Sequence, residues 1–324
     1  MTRIERLTDA GSVRKVLDTA RQEADRQLEA MRAAAQEVIS DEPGIIVGVN
    51  GSVARREVTS GSDVDLFFLA TGDDADAIRP VQEAFRERLQ ADGVKMPAHG
   101  GVFEDPLTVN DLLANIGGDA DTNEYLTRRM LYLLEGEWLH NRAGFDDVRS
   151  RLVGHYVRDE LEERKLCRYL LNDVIRYWRT ICVDFEEKTA DGGKPRAIRL
   201  VKLRFARMML YFGGVAAISR TADASAEAKR AMLLETFAKP PADRLTEAFG
   251  HDEMAQPLAA YATFLNSIDD GEIRSALERA GHEGLDTDEY RELVEVAREF
   301  RNGLESVLVG PEGLRHRIGS ALLL

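Results

Sequence analysis

Residues 45–69 read IIVGVNGSVARREVTSGSDVDLFFL, and this stretch decides the fold. The apolar run Ile45, Ile46, Val47 and Val49 predicts a strand, and Leu66 to Leu69 predict a second. Between them, Gly51-Ser52 predict a turn and residues 53–56 a short helix. Strand side chains two apart share a face, so Asp63 and Asp65 lie side by side, roughly 6–7 Å apart at the backbone, with Val64 turned into the core. Paired carboxylates hold divalent metal, and two of them bridge ions about 3.5–4 Å apart, the spacing used in displacement at phosphorus. Magnesium, which takes one or two carboxylates plus substrate phosphates, suits the pair better than calcium. Glycine at 51 lets the backbone approach a phosphate, and the amides opening the short helix point at it.

An apolar strand, Gly-Ser, a variable loop and Asp-x-Asp together resemble the motif of the DNA polymerase β type of nucleotidyltransferase. Gly51, Ser52, Asp63 and Asp65 carry the match; Arg55, Glu57 and Ser62 agree with the form GSxxRxE…SDxDL, and Arg56 stands where many members carry glycine. The resemblance implies that Asp63 and Asp65 bind Mg2+ or Mn2+. It also implies that Gly51 and Ser52 hold the β- and γ-phosphates of an NTP such as ATP, with Arg55 neutralising charge and Ser62 among the nucleotide-binding residues.

The segment GGVFEDPLTVNDLLANIGGDADTNEYLTRRMLYLLEGEWLHN (residues 100–141) narrows the likeness. It is similar to the region after the catalytic aspartates in the uridylyltransferase of the PII signalling protein, and in related nucleotidyltransferases that accompany cyclic-nucleotide-binding and CBS domains. Thr122, Arg128 or Arg129, and Gly136-Glu137 carry that similarity, which spans roughly residues 40–145. Family members place a third carboxylate on the strand beside Asp-x-Asp, as metal ligand or general base. Gly101 falls near that place here, and Glu104 and Asp105 are the nearest acids downstream. Glu104 is the candidate catalytic residue; alternatively both are loop acids before Pro106.

The remaining composition sets bounds. With 324 residues, 44% hydrophobic and 31% charged, the chain has room for two cores and reads as globular. No run approaches the roughly 20 apolar residues of a membrane span, and MTRIERLTDAGSVRK lacks the apolar segment of a signal peptide, so a cytoplasmic protein without membrane partners is expected. Cys167 and Cys182 fall in one predicted helix, about 22 Å apart along its axis, which rules out a disulfide between them. The six histidines form no zinc pattern. A net charge of −14 argues against extended nucleic-acid binding.

Along the chain, the patterns predict a helix over 11–39, the strand-turn-strand unit, a helix over 80–89 and a third strand over 94–102. Threonine caps at 108 and 122 then open two helices. From about 147 the chain reads as helical, with a long helix over 157–187, a Gly192-Gly193 loop and a basic helix over 196–212. On that basic helix Ile198, Val201, Phe205, Met208, Met209 and Phe212 share one face and Arg196, Arg199, Arg204 and Arg207 the other, together with Leu200, Leu203 and Leu210. A helix covered on both sides forces its arginines to find anions, either Asp173 or Asp184 or the triphosphate of a nucleotide. Lys202, at the border of the faces, and Arg199 are the candidate phosphate ligands. Trp138, Trp178, Tyr169 and Tyr177 sit among apolar helical positions and read as core.

The expected architecture is α+β: a polymerase-β-like domain with a small mixed sheet over 1–146, and an all-helical domain over 147–324 closing the cleft. The expected activity is NMP transfer from an NTP to an acceptor, a protein side chain ahead of a small molecule or an RNA end. The alternative is a nucleotide-binding regulatory or protein-interaction module without efficient turnover.

Overall fold

The computed structural model describes residues 3–40, 42–97, 102–190 and 194–309, and these form a mostly helical α+β fold around a small mixed sheet. Helix α1 (Ala10–Ile39) opens on Asp9, whose carboxylate accepts from the Ser12 amide at 2.9 Å and satisfies one of the first-turn donors. Strand β1 (Ile45–Asn50) pairs antiparallel with β2 (Asp65–Ala70) and, on its other edge, with β4 (Glu137–His140). Strand β3 (Leu107–Thr108) runs parallel to β2, giving the order β3-β2-β1-β4.

Both faces of the sheet are covered, which explains why its central strands are continuous apolar runs. Val47, Val49, Leu66 and Phe68 pack into a core with Leu28, Met31 and Ala35 of α1 and with Phe85 and Leu89 of α3 (Arg79–Ala91). On the opposite face, Ile46, Phe67 and Leu69 join Leu126, Met130 and Leu133 of α5 (Asn123–Leu134) and Phe145 of α6 (Arg142–Tyr156). Gly48 pairs with Phe67, and a Cβ there would overlap the ring, so this close approach requires glycine. Register also pairs Asn50 with Asp65, placing both on the face that looks toward the helical half.

Thr108 caps α4 (Val109–Leu113) and Thr122 caps α5, as their sequence signals predict. Two expectations fail locally. Residues 94–97 form no strand, 98–101 lie outside the described residues, and the third strand is β3 instead; Pro97 has no amide to give a ladder. The long helix over 157–187 starts late, with α6 ending at Tyr156 and α7 (Arg168–Thr189) beginning twelve residues later. Seven of the eight residues 158–165 are charged, so that stretch offers no apolar face to hold a helix against the protein. Cys167 is therefore the N-cap of α7 rather than part of a helix shared with Cys182, and both thiols are free.

The rest is helical: α8 (Arg196–Lys202), a π-helical stretch (Leu203–Arg207), α9 (Met208–Arg220), α10 (Ala226–Phe237), α11 (Pro241–Phe249), α12 (His251–Asp269), α13 (Gly271–Leu277) and α14 (Asp288–Val309). The predicted basic helix is thus interrupted by a π turn, while the Gly192-Gly193 loop lies outside the described residues. Phe205 stacks on Phe264 of α12 with ring centroids 4.5 Å apart. Helix α6 runs through the 146/147 position, and the larger core takes side chains from both sides of it, from Phe67 to Phe300. Among the described residues no helix is long and apolar enough to cross a membrane.

Candidate active site

Strand β1 ends in a turn whose geometry only glycine meets. Gly51 has φ +76°, and a Cβ on it would lie 2.7 Å from Asp65 Oδ2. Glycine here admits the aspartate as well as any phosphate. The Gly51 amide donates to Glu135 Oε1 at 3.1 Å. The short helix α2 (Gly51–Ala54) starts two residues earlier than the sequence suggests, and Ser52 faces the cleft beside it. Arg56, at the usual glycine position, keeps a left-handed backbone with φ +61°. Its guanidinium offsets that strain by donating to Asp25 at 2.6 Å and Glu137 at 3.0 Å.

The loop from 57 to 62, which delivers the aspartates, is fastened by the helical half. Ser60 donates from its amide to Asp269 Oδ1 at 2.6 Å, and Arg274 donates to the Gly61 carbonyl at 2.7 Å. Ser62 Oγ accepts from the Thr59 amide at 3.0 Å, so Ser62 shapes this loop as well as lining the cleft. Val64 is buried in the sheet core, and Asp63 and Asp65 are half-buried on the other side, as alternation requires. Neither aspartate has a hydrogen bond or ion pair among the described residues. Burial, and next the charge of Asp63, push the Asp65 carboxyl up to about 6.

A buried chain of charged groups runs behind this pair. Tyr261 of α12 donates to Glu57, Arg55 donates to both Glu57 and Glu135, and Arg207 donates to Glu135 at 3.0 Å. Burial alone would raise the Glu135 carboxyl. Arg207 and Arg55, with the Gly51 amide, outweigh it and hold Glu135 at about 2. Arg55 thus ties Glu57 to Glu135 through Nε and Nη1 while lining the same cleft as Gly51, Ser52 and the aspartates.

The arginines of the basic helix divide in the same way. Arg196 pairs with Glu186 at 2.7 Å and Arg207 with Glu135, so the protein's anions are these two rather than Asp173 or Asp184. Asp173 instead accepts from Tyr156 at 2.6 Å, and Asp184 pairs with Lys188. Among the described residues Arg199 and Lys202 have no ion pair or hydrogen bond. Burial lowers both, most directly opposed by the nearby charge of Asp63 for Arg199; Lys202 is lowered further by Arg274. Lys202 lines a cleft of about 110 Å³ with Gly51, Ser52, Asp63 and Asp65.

A second cavity, about 270 Å³, shares Asp65 and Arg207 with the first. Glu104 lines it, and its backbone carbonyl accepts from Gln82 at 2.8 Å. Asp105 is exposed and pairs with Arg79 at 2.9 Å, which takes it out of the site; Gly101 lies outside the described residues. Among the described residues no group of three or more His, Cys, Asp or Glu side chains converges on a metal position. The acids without a partner here, among the described residues, are the pair Asp63 and Asp65, and Glu104 lines the cavity that Asp65 borders.

Sequence reasoning missed three participants. Glu135 has no local signature, Arg207 read as one of several arginines on a face, and Asn50, which borders the larger cavity, lies just past the apolar run and carries no signal of its own. Asn50 is 2% exposed with both amide atoms unpartnered among the described residues, a burial that costs about 1–3 kcal/mol. No protein-family model matches the chain and no curated protein is significantly similar to it, so the reading of this site rests on its own residues.

Proposed function

We propose that the protein is a metal-dependent nucleotidyltransferase, moving a nucleoside monophosphate from an NTP to a hydroxyl acceptor and releasing pyrophosphate. The observation that carries this is one cleft in which two unpaired aspartates, the Gly51-Ser52 turn and the unpaired Lys202 meet. The other charged residues lining it, Arg55, Glu57 and Arg207, are all hydrogen-bonded. The sheet, with α1 and α3 on one face and the helical half on the other, is read as a polymerase-β-type domain with a closing partner.

The donor set fits Mg2+ or Mn2+: two carboxylate oxygens on one strand face, with excess negative charge that already disfavours ionisation of Asp65. Asp63 and Asp65 would hold the ion, which would supply neutralisation of the negative charge that develops on the phosphate. Gly51 and Ser52 bind the β- and γ-phosphates, and Lys202, with Arg199 behind it, balances the leaving pyrophosphate. Glu104 takes the proton of the attacking hydroxyl.

Incubation with each labelled NTP, Mg2+ or Mn2+ and a cell extract tests the reading. An enzyme labels an acceptor or releases pyrophosphate, and Asp63→Asn and Asp65→Asn abolish this with the fold intact. Substantial activity in either variant overturns it. A second reading, a nucleotide-binding module without turnover, is favoured by Asp105 being tied to Arg79 and by the lack of a three-acid cluster among the described residues. It expects NTP binding that depends on Ser52 and Lys202 with neither labelling nor pyrophosphate release.

A further inference from the structure

The larger cavity holds a buried amide that the fold does not use. Asn50 closes β1 opposite Asp65, is 2% exposed, and has both Oδ1 and Nδ2 unpartnered among the described residues. An asparagine directly before a helix ordinarily caps it with its side-chain oxygen. Here the side chain makes no cap hydrogen bond, and the residue borders the cavity with its amide buried at the wall. Buried polar groups are nearly always hydrogen-bonded, so an amide with donor and acceptor both idle marks a place where a ligand supplies the complement. Leu66, Val102, Phe103 and Leu131 give the cavity an apolar part, and Asp65, Glu104 and Arg86 a charged one.

Position relative to Asp65 says which ligand. Displacement at phosphorus puts the attacking and leaving oxygens on opposite sides of the reacting atom. Asp65 and Arg207 border both spaces, with Gly51, Ser52 and Lys202 lining the first and Asn50 the second. Pyrophosphate leaving by the first side leaves the second for the attacking group. We propose that the Asn50 cavity is the acceptor site, and that it takes an uncharged hydroxyl carried on an apolar body of about one ring, hydrogen-bonded by the Asn50 amide. This rests on the nucleotidyltransfer reading. The acceptor oxygen forms a bond to the α-phosphorus, the bond from that phosphorus to the bridging oxygen breaks, pyrophosphate departs with its electron pair, and the hydroxyl proton passes to Glu104.

The test is binding of p-cresol, cyclohexylmethanol and toluene to the full chain by ligand-observed NMR, with and without MgATP. The proteins are wild type, Asn50→Leu, and Met96→Trp, which narrows the cavity from a half-buried wall position without touching Asn50. Both hydroxyl probes are expected to bind about tenfold more tightly than toluene. Asn50→Leu should erase that preference, Met96→Trp should weaken all three probes, and MgATP should bind alongside them with affinity changed by less than about twofold in either variant. Should Asn50→Leu not fold, Met96→Trp and the toluene comparison in wild type decide. N-acetyltyrosinamide separates the two sources of such a hydroxyl: binding like p-cresol points to a protein side chain, exclusion to a free small molecule. No preference over toluene, or displacement of the probes by MgATP, overturns the proposal, the latter because it gives the cavity to the nucleoside. MgATP binding without an Asn50-dependent preference sinks this inference alone. Asn50-dependent binding of p-cresol with no MgATP binding sinks the transferase reading, and the acceptor role with it.

Discussion

Glu135 and Asp65 border the same cavity and have opposite fates. Glu135 accepts from two arginines and the Gly51 amide and stays ionised down to about pH 2. Asp65, without an ion pair or hydrogen bond among the described residues, resists ionisation up to about pH 6. The difference teaches where structure stops and chemistry begins in this protein. A buried carboxylate with every lone pair matched holds elements together, here β1, α5 and the basic helix. A carboxylate held half-buried beside another, with nothing to match it, lowers stability and persists where a ligand completes it.

The largest effect should come from breaking the matched acid. Glu135→Ala leaves Arg55 and Arg207 buried without their shared partner and should cost about 3–5 kcal/mol in denaturant unfolding. Asp65→Asn should be neutral or stabilising in the same experiment. If the two variants trade places, the division between tie and site is wrong.

The pH dependence of stability sharpens the contrast. For Asp65 the folded value lies above the unfolded one, so the native state binds more protons between about pH 4 and 6 and stability falls as pH rises through that window, by about 3 kcal/mol at most. Glu135, with its folded value below the unfolded one, contributes stability above about pH 4.5 that is lost as pH falls toward 2. Asp65→Asn should remove the falling limb between pH 4 and 6 and leave the acid limb in place. Unfolding curves collected across pH 2–7 check both.

Smaller effects separate the two sides of the cleft. Ser52→Ala should weaken MgATP binding by about 1.5–3 kcal/mol, the worth of a hydrogen bond to a charged group, with little change in the apo protein. Calorimetric titration reads it, and unchanged affinity would make the turn purely structural. Lys202→Ala should reduce MgATP affinity about tenfold at low salt, less as salt rises, while the apo melting temperature holds. A drop in apo melting temperature without loss of ligand stabilisation would move Lys202 into the architecture beside Arg207.

What the sequence discloses follows the range over which each contact acts. Gly51, Ser52, Asp63, Val64 and Asp65 are bound by strand alternation and a single turn, so their arrangement is readable within 15 residues. Glu135 meets Gly51 across 84 positions and Tyr261 meets Glu57 across 204, and no local pattern marks such partners. Arg55 was legible as a motif residue, but its occupation by two acids was not. Asn50 was hidden differently, since asparagine before a helix has an ordinary explanation that the side chain here does not fulfil. The third strand went astray because a weak β pattern around Pro97 outweighed the two residues that pair with β2.

The π turn at Leu203–Arg207 amounts to one residue more than a regular helix needs over the same length. An α-helix advances about 1.5 Å and turns about 100° per residue. Deleting a single residue from this stretch would let the helix close up into a continuous rod, and with α9 fixed by its packing, Lys202 and Arg199 would swing by that angle away from Asp63. The reach of the helical half into the cleft is thus written as an insertion rather than as a substitution, and a one-codon deletion would uncouple the two halves while leaving Arg199 and Lys202 themselves unchanged.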